Sequence, residues 1–348
     1  MRTNVRFHFL DSLRGFAVMG ILLVNAADIM NLGQNAEVQL HRQIPVAENA
    51  LYYLVSTRFV PIFCFMFGMS MGFVIDSASR QGAPAWKILL RRLVALLAIG
   101  ALNSILYPNE VLRSYAIGGV ILLPFILKLK RSIRLLLGLL ATAGAYAVLG
   151  GGEASIPGLF LLGSAAQAYG LPARLEHADR RIGAAALVFA AAGAAAILWQ
   201  TTGIGDPRFS TAGGVVGGLM ACLYVCVLAL LWRTPARRVL SAVFDPLGRM
   251  ALTCYVTASF VMVPAGVLLD SRSTLDVVPG LIVAAAVLPT QWVLCRLWLS
   301  RFTYGPLEWA WRCITWWRWV PLRRQQATHL DNQPDSVGYV QATTARMA

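Results

Sequence analysis

The chain has 348 residues, 57% of them hydrophobic and 13% charged, with a net charge of +14. A mean hydropathy of +0.63 excludes an ordinary soluble globular protein and points to a membrane protein. The basic excess would suit a nucleic-acid partner, but its distribution argues against one: with a cytoplasmic N-terminus, twenty-five of the thirty Lys and Arg fall in inner segments, leaving Arg42, Arg58, Arg113, Arg208 and Arg272 outside.

Apolar windows of roughly 20 residues, the length that spans a bilayer, recur near residues 15–31, 57–75, 90–107, 115–128, 133–150, 156–170, 182–200, 212–232, 250–269 and 279–299. They predict an all-α, polytopic helical membrane protein with about ten transmembrane helices and both termini cytoplasmic, because lipid leaves backbone groups no partners but their own. Residues 1–300 are read as the bundle, 301–324 as a Trp/Arg-rich helix on the membrane surface, and 325–348 as a disordered tail. A homo-oligomer is compatible with the small-residue runs of the fifth to seventh windows.

The first window, "FLDSLRGFAVMGILLVNAAD" (residues 9–28), starts like a secretory leader, but Asp11 and Arg14 inside it and the nine windows that follow predict a retained helix. At about 100° and 1.5 Å per residue, Asp11, Arg14, Asn25 and Asp28 share about a quarter of the circumference. A mid-membrane charge costs roughly 2.5 to 3.5 kcal/mol, so this stripe is expected to face protein or a polar cavity rather than lipid. The bland alternative is an Asp11–Arg14 pair at the interface.

Further along, the outer connection at residues 29–56 holds His41, and Arg58 opens the second window. Asn103, Glu110 and Tyr115 lie around the end of the third window and the start of the fourth. Arg58 is expected either to pair with Asp28 or Glu110 or to join a substrate site with Asp28, Asn103 and Tyr115. His41 has the pKa class of a general base. The six cysteines lie in or beside apolar segments and are read as packing thiols, with no metal site expected. "DPLGRMA" at 245–251 echoes "DSLRGFA" at 11–17 with Gly and Arg reversed, which sets Arg14 and Arg249 at equivalent depths. Two arginines at an inner mouth suit an anionic, phosphorylated ligand, because guanidinium offers paired donors and keeps its charge.

The ordered segments "LDSLRGFAVMGILLVN", "RFVPIFCFMFGMSMGF", "LRRLVALLAIGALNSIL" with "EVLRSYAIGGVILL", "GRMALTCYVTAS" and "FTYGPLEWAWR" resemble the YeiB-like family of bacterial inner-membrane proteins. Through its first-span motif that family is distantly similar to transmembrane acyltransferases such as the heparan-glucosaminide acetyltransferase. The resemblance implies a multi-pass protein of the bacterial inner membrane that moves an acyl group from cytoplasmic acyl-CoA to an unknown small-molecule or envelope acceptor. In that scheme Arg14 and Arg249 hold the donor, Asn25 orients the thioester or its oxyanion, and His41 or Glu110 assists the acceptor. The sequence departs from the family at Asn103, where histidine is usual, and at Glu110, Cys254 and Ala258. Losing that histidine removes an obvious proton acceptor, so a transporter of an anionic solute and a non-catalytic accessory protein remain as alternatives.

Overall fold

The computed structural model describes residues 7–34, 55–201 and 210–323. Among them the chain forms helices α1 (His8–Ile29), α2 (Phe59–Arg80), α3 (Ala85–Asn103), α4 (Leu112–Lys128), α5 (Arg131–Leu149), α6 (Ile156–Ala168) and α7 (Leu171–His177). These are followed by α8 (Arg180–Thr201), α9 (Thr211–Trp232), α10 (Arg237–Arg249), α11 (Ala251–Leu268), α12 (Val278–Arg301) and α13 (Pro306–Trp316). Among the described residues the β-structure is one isolated bridge, Phe302 to Arg323.

Among the described residues seven helices, α1, α2, α5, α8, α9, α11 and α12, are long and apolar enough to cross a membrane. The other three expected windows correspond to helices that fall short of this. α3 carries Lys87, Arg91 and Arg92, α4 is 17 residues long and α6 only 13. His41 and the tail from 325 onward lie outside the described residues.

The most buried spans, α1 and α2, form the centre, while α5, α8 and α12 turn side chains such as Leu140, Leu187, Leu198 and Leu297 outward. An apolar exterior of this extent is what a bilayer requires. Two backbone-to-backbone crossings hold the centre together. Where α2 meets α6, a Cβ on Gly163 would stand 2.0 Å from the Phe65 carbonyl oxygen, and one on Gly68 would stand 2.3 Å from that of Phe160. Where α1 meets α10, a Cβ on Gly15 would lie 1.9 Å from the Phe244 carbonyl oxygen, and one on Gly248 would lie 1.8 Å from that of Asp11. Only glycine allows either approach.

The second crossing explains the sequence echo. Gly15 and Gly248 are the contact points, so the arginines beside them, Arg14 and Arg249, emerge next to each other from two different helices. The Ser12 hydroxyl donates to Asp245 across the same junction. Reversing Gly and Arg between the two motifs keeps glycine at the crossing in both helices.

The Trp/Arg-rich segment is more than a helix resting on lipid. α13 docks against α3 and α11, with the Trp311 indole donating to the Arg92 carbonyl at 2.7 Å. Its chain then leaves the bundle with Trp317 and Trp319 exposed at 73% and 81%, where aromatic rings favour the headgroup level.

Candidate functional site

Beneath the α1–α10 crossing lies a cavity of about 160 Å³. Its polar groups come from separate elements: Arg14 from α1, Ser70 from α2, Arg92 from α3, Arg249 from α10 and Glu308 from α13. Val18, Ile21, Phe63, Phe67 and Leu96 provide much of its apolar wall, with Tyr115, Tyr255 and Trp311 completing the aromatic part.

Each arginine is held in a different way. Arg14 is about one-third exposed, and its Nη1 stands 3.4 Å from both the Asp11 carboxylate and the Gly248 carbonyl oxygen. Both contacts are long, and the first is the pair foreseen as the bland reading. Arg249 donates to the Thr303 carbonyl at 3.0 Å. Arg92 donates to the Ser70 hydroxyl at 3.0 Å and stacks on the Trp311 ring at 3.7 Å. These partners are neutral, and Arg92 makes no ion pair among the described residues. A desolvated guanidinium on an indole gains about 2 kcal/mol, which fixes its position without cancelling its charge.

Glu308 is the carboxylate at the same end. Its Oε1 accepts from the N–H groups of Leu252 and Thr253 at 2.7 and 2.9 Å, and its Oε2 accepts from the Thr253 hydroxyl at 2.6 Å. These are the first free N–H groups of α11, so Glu308 supplies from another helix the cap that Met250 cannot. Burial pushes its carboxyl above the usual carboxylate range, against the pull of those hydrogen bonds.

Farther from the arginines, Tyr115 is 1% exposed within a cage of Phe63, Phe67 and Phe160, with its hydroxyl beside the Cys64 thiol. The Tyr255 hydroxyl accepts from the Val111 N–H at 3.2 Å. Val111 and Leu112 close the far end of the cavity.

Of the residues expected from sequence, the cavity therefore gathers Arg14, Arg249 and Tyr115. It does not gather Asn25, which is half-buried beyond Ile21, or Asp28, which is exposed. The face foreseen on α1 is the one that lines the cavity, but between Arg14 and Asn25 it carries Val18 and Ile21, so the lining turns apolar there.

Arg58 is fully buried at the start of α2, where Thr57 adopts φ +65° and turns the chain back. Its guanidinium donates to the Ser56 carbonyl and the Thr57 hydroxyl, and it pairs with neither Asp28 nor Glu110. Glu110 caps α4, accepting from Leu112 N at 2.7 Å and Arg113 N at 3.1 Å, and pairs with the Arg113 side chain at 3.0 Å. Asn103 is 2% exposed, and both its amide atoms lack partners among the described residues.

Sequence reasoning passed over Ser70, Arg92, Tyr255, Glu308 and Trp311. In the sequence Arg92 reads as one more inner charge. Its signal was its place well inside an apolar helix, two turns past Pro84. Glu308 could have been noticed as a lone acid amid tryptophan and arginine.

The architecture and the cavity together define a multi-pass helical membrane protein. Residues 169–318 match the family described as "Protein of unknown function (DUF418)". Among curated proteins, the chain is 29% identical to the "Uncharacterized 39.9 kDa protein in amylase 3'region" of Bacillus acidopullulyticus, over 91% of this chain and 96% of that protein. It is 27% identical to "Uncharacterized protein YxaH" of Bacillus subtilis (strain 168), over 93% of this chain and 97% of the relative. No solved structure matches. These likenesses are consistent with the YeiB-like resemblance, and none of them points to acyltransferase activity.

Proposed function

We propose that the protein is an inner-membrane protein, with both termini cytoplasmic, that takes a phosphate-bearing acyl donor from the cytoplasm into this cavity and passes its acyl group to an envelope acceptor. Acyl-CoA is the first donor to test. The observation that carries the reading is the convergence of Arg14, Arg92 and Arg249, from three helices, on one cavity. Guanidinium groups fixed before the ligand arrives bind phosphate oxygens at low entropic cost. Acyl transfer needs a proton acceptor, and Glu308, rather than Glu110, is the carboxylate that lines the cavity.

Membranes containing the protein should release free thiol from acyl-CoA, and Arg14→Ala or Arg249→Ala should lower that release at least about tenfold, the usual scale for losing a charged phosphate contact. Thiol release equal to that of membranes lacking the protein would end the transferase reading. An anion exporter is the second reading, favoured by the cavity's reach from the arginines to Val111 and Leu112 at the start of α4. It predicts movement of labelled solute without consumption of the donor.

A further inference from the structure

We infer that the ligand class is a phosphate monoester whose apolar chain follows the phosphate directly, a lipid phosphate rather than a coenzyme A thioester. The inference rests on the second reading, in which the cavity holds an anion to be exported, and it names what is attached to that anion; an alkyl phosphate carries no activated acyl group and so is not a donor for the transferase reading.

The lining changes character in the same direction on two helices. On α1, Arg14 is followed on the same face by Val18 and Ile21, and on α3, Arg92 is followed by Leu96. Phe63 and Phe67 on α2 stand along the same apolar stretch, while Ser70 joins the arginine end through Arg92. The helical rise sets Ile21 about 10 Å from Arg14 along α1. The positive end of α11 opens at the same mouth but is already filled by the Glu308 carboxylate, so a ligand phosphate must be held by the guanidinium groups.

Below the phosphate the chain would meet few polar partners. Tyr255 is engaged with Val111, and the Tyr115 hydroxyl lies beside the Cys64 thiol. A pantetheine arm brings two amides, each with a donor and an acceptor, and burying them against Val18, Ile21, Phe67 and Leu96 would leave most of those groups unpaired. An alkyl chain needs no partners there.

The test uses the full-length chain in lipid nanodiscs and compares octyl phosphate, inorganic phosphate, octanol, coenzyme A and octanoyl-CoA by native mass spectrometry and thermal shift. Octyl phosphate should bind at least about tenfold more tightly than inorganic phosphate, octanol and either coenzyme A compound. Arg92→Ala should weaken octyl phosphate by at least about tenfold. Leu96→Trp, which fills the apolar stretch, should weaken octyl phosphate while leaving inorganic phosphate unchanged. If either variant fails to fold, the ligand series on the unaltered protein still decides. Octanoyl-CoA or coenzyme A binding as tightly as octyl phosphate would overturn the inference and leave the anion reading standing. Octanol matching octyl phosphate, or no anion binding at all, would overturn both.

Discussion

At the end of the bundle proposed as the inner one Arg14, Arg92 and Arg249 come from three helices and line a cavity, whereas at the opposite, outer end the charged groups bond within their own turns. Arg58 folds back onto Ser56 and Thr57, and Glu110 and Arg113 are bound to the first turn of α4 and to each other. The residue types are the same, but Glu110 and Arg113 are held in place by sequence neighbours, while the crossing of α1 and α10 brings Arg14 and Arg249 together and the docking of α13 on α3 adds Arg92. A charge satisfied locally serves the fold. Arg92, placed by long-range docking and held by neutral partners, keeps its charge for a ligand.

The largest expected effect attacks that crossing. Gly248→Leu would drive a side chain into the Asp11 carbonyl, and Gly15→Leu would do the same at Phe244. Either should destabilise the protein by more than about 3 kcal/mol, read as a collapse of the folded fraction on size exclusion in detergent. A stable, ligand-competent Gly248→Leu protein would mean that the crossing does not position the arginines.

Next comes the cap on α11. Glu308→Ala leaves two N–H groups and a hydroxyl unpartnered and should cost about 2 to 3 kcal/mol, whereas Glu308→Gln keeps one acceptor and should cost less. The raised carboxyl gives a sign to the pH dependence. Its stabilising contribution is fullest below the ordinary carboxylate range and declines as pH rises through its raised value. Glu308→Gln should lack that decline, so the difference between the thermal melts of the two proteins should change as pH rises through that value. Parallel melting curves across the range would show that Glu308 does not titrate there.

The two ends can then be set against each other directly. Arg58→Ala should lower thermal stability by about 3 kcal/mol, as expected when a buried, hydrogen-bonded charge is removed, with ligand affinity unchanged in the protein that remains folded. Arg92→Ala should lose the roughly 2 kcal/mol of its stack on Trp311 and, unlike Arg58→Ala, should also lose anion binding in the protein that remains folded. If both variants lost stability alone, the inner arginines would be structural too.

The smallest effect concerns Asn103. An amide buried without partners gains nothing from its polarity, so Asn103→Leu should be neutral or stabilising by up to about 1 kcal/mol in a chemical denaturation series. Loss of transfer or transport at unchanged stability would instead give Asn103 a ligand on the outer side.

Much of this molecule was legible in the chain. Composition and window length gave a helical membrane protein, and the basic residues gave an orientation to test. The phase of α1 gave the face on which Arg14 sits. The count of spans was less legible, because α3, α4 and α6 are short or charged and pack among longer helices. Arg58 bonds to Ser56 and Thr57 rather than to Asp28 or Glu110, a local turn contact that helix periodicity does not reveal. Arg92 and Glu308 looked like ordinary inner charges until α13 was seen docked on α3 and α11.

The sequence by itself determined where apolar helices form and which positions share a helical face, because both follow from local chain geometry and from the need to satisfy backbone groups in lipid. Only the tertiary structure decided which charges meet. Contact across helices depends on how closely two backbones can approach, and here that distance is set by Gly15 and Gly248, residues with no charge of their own.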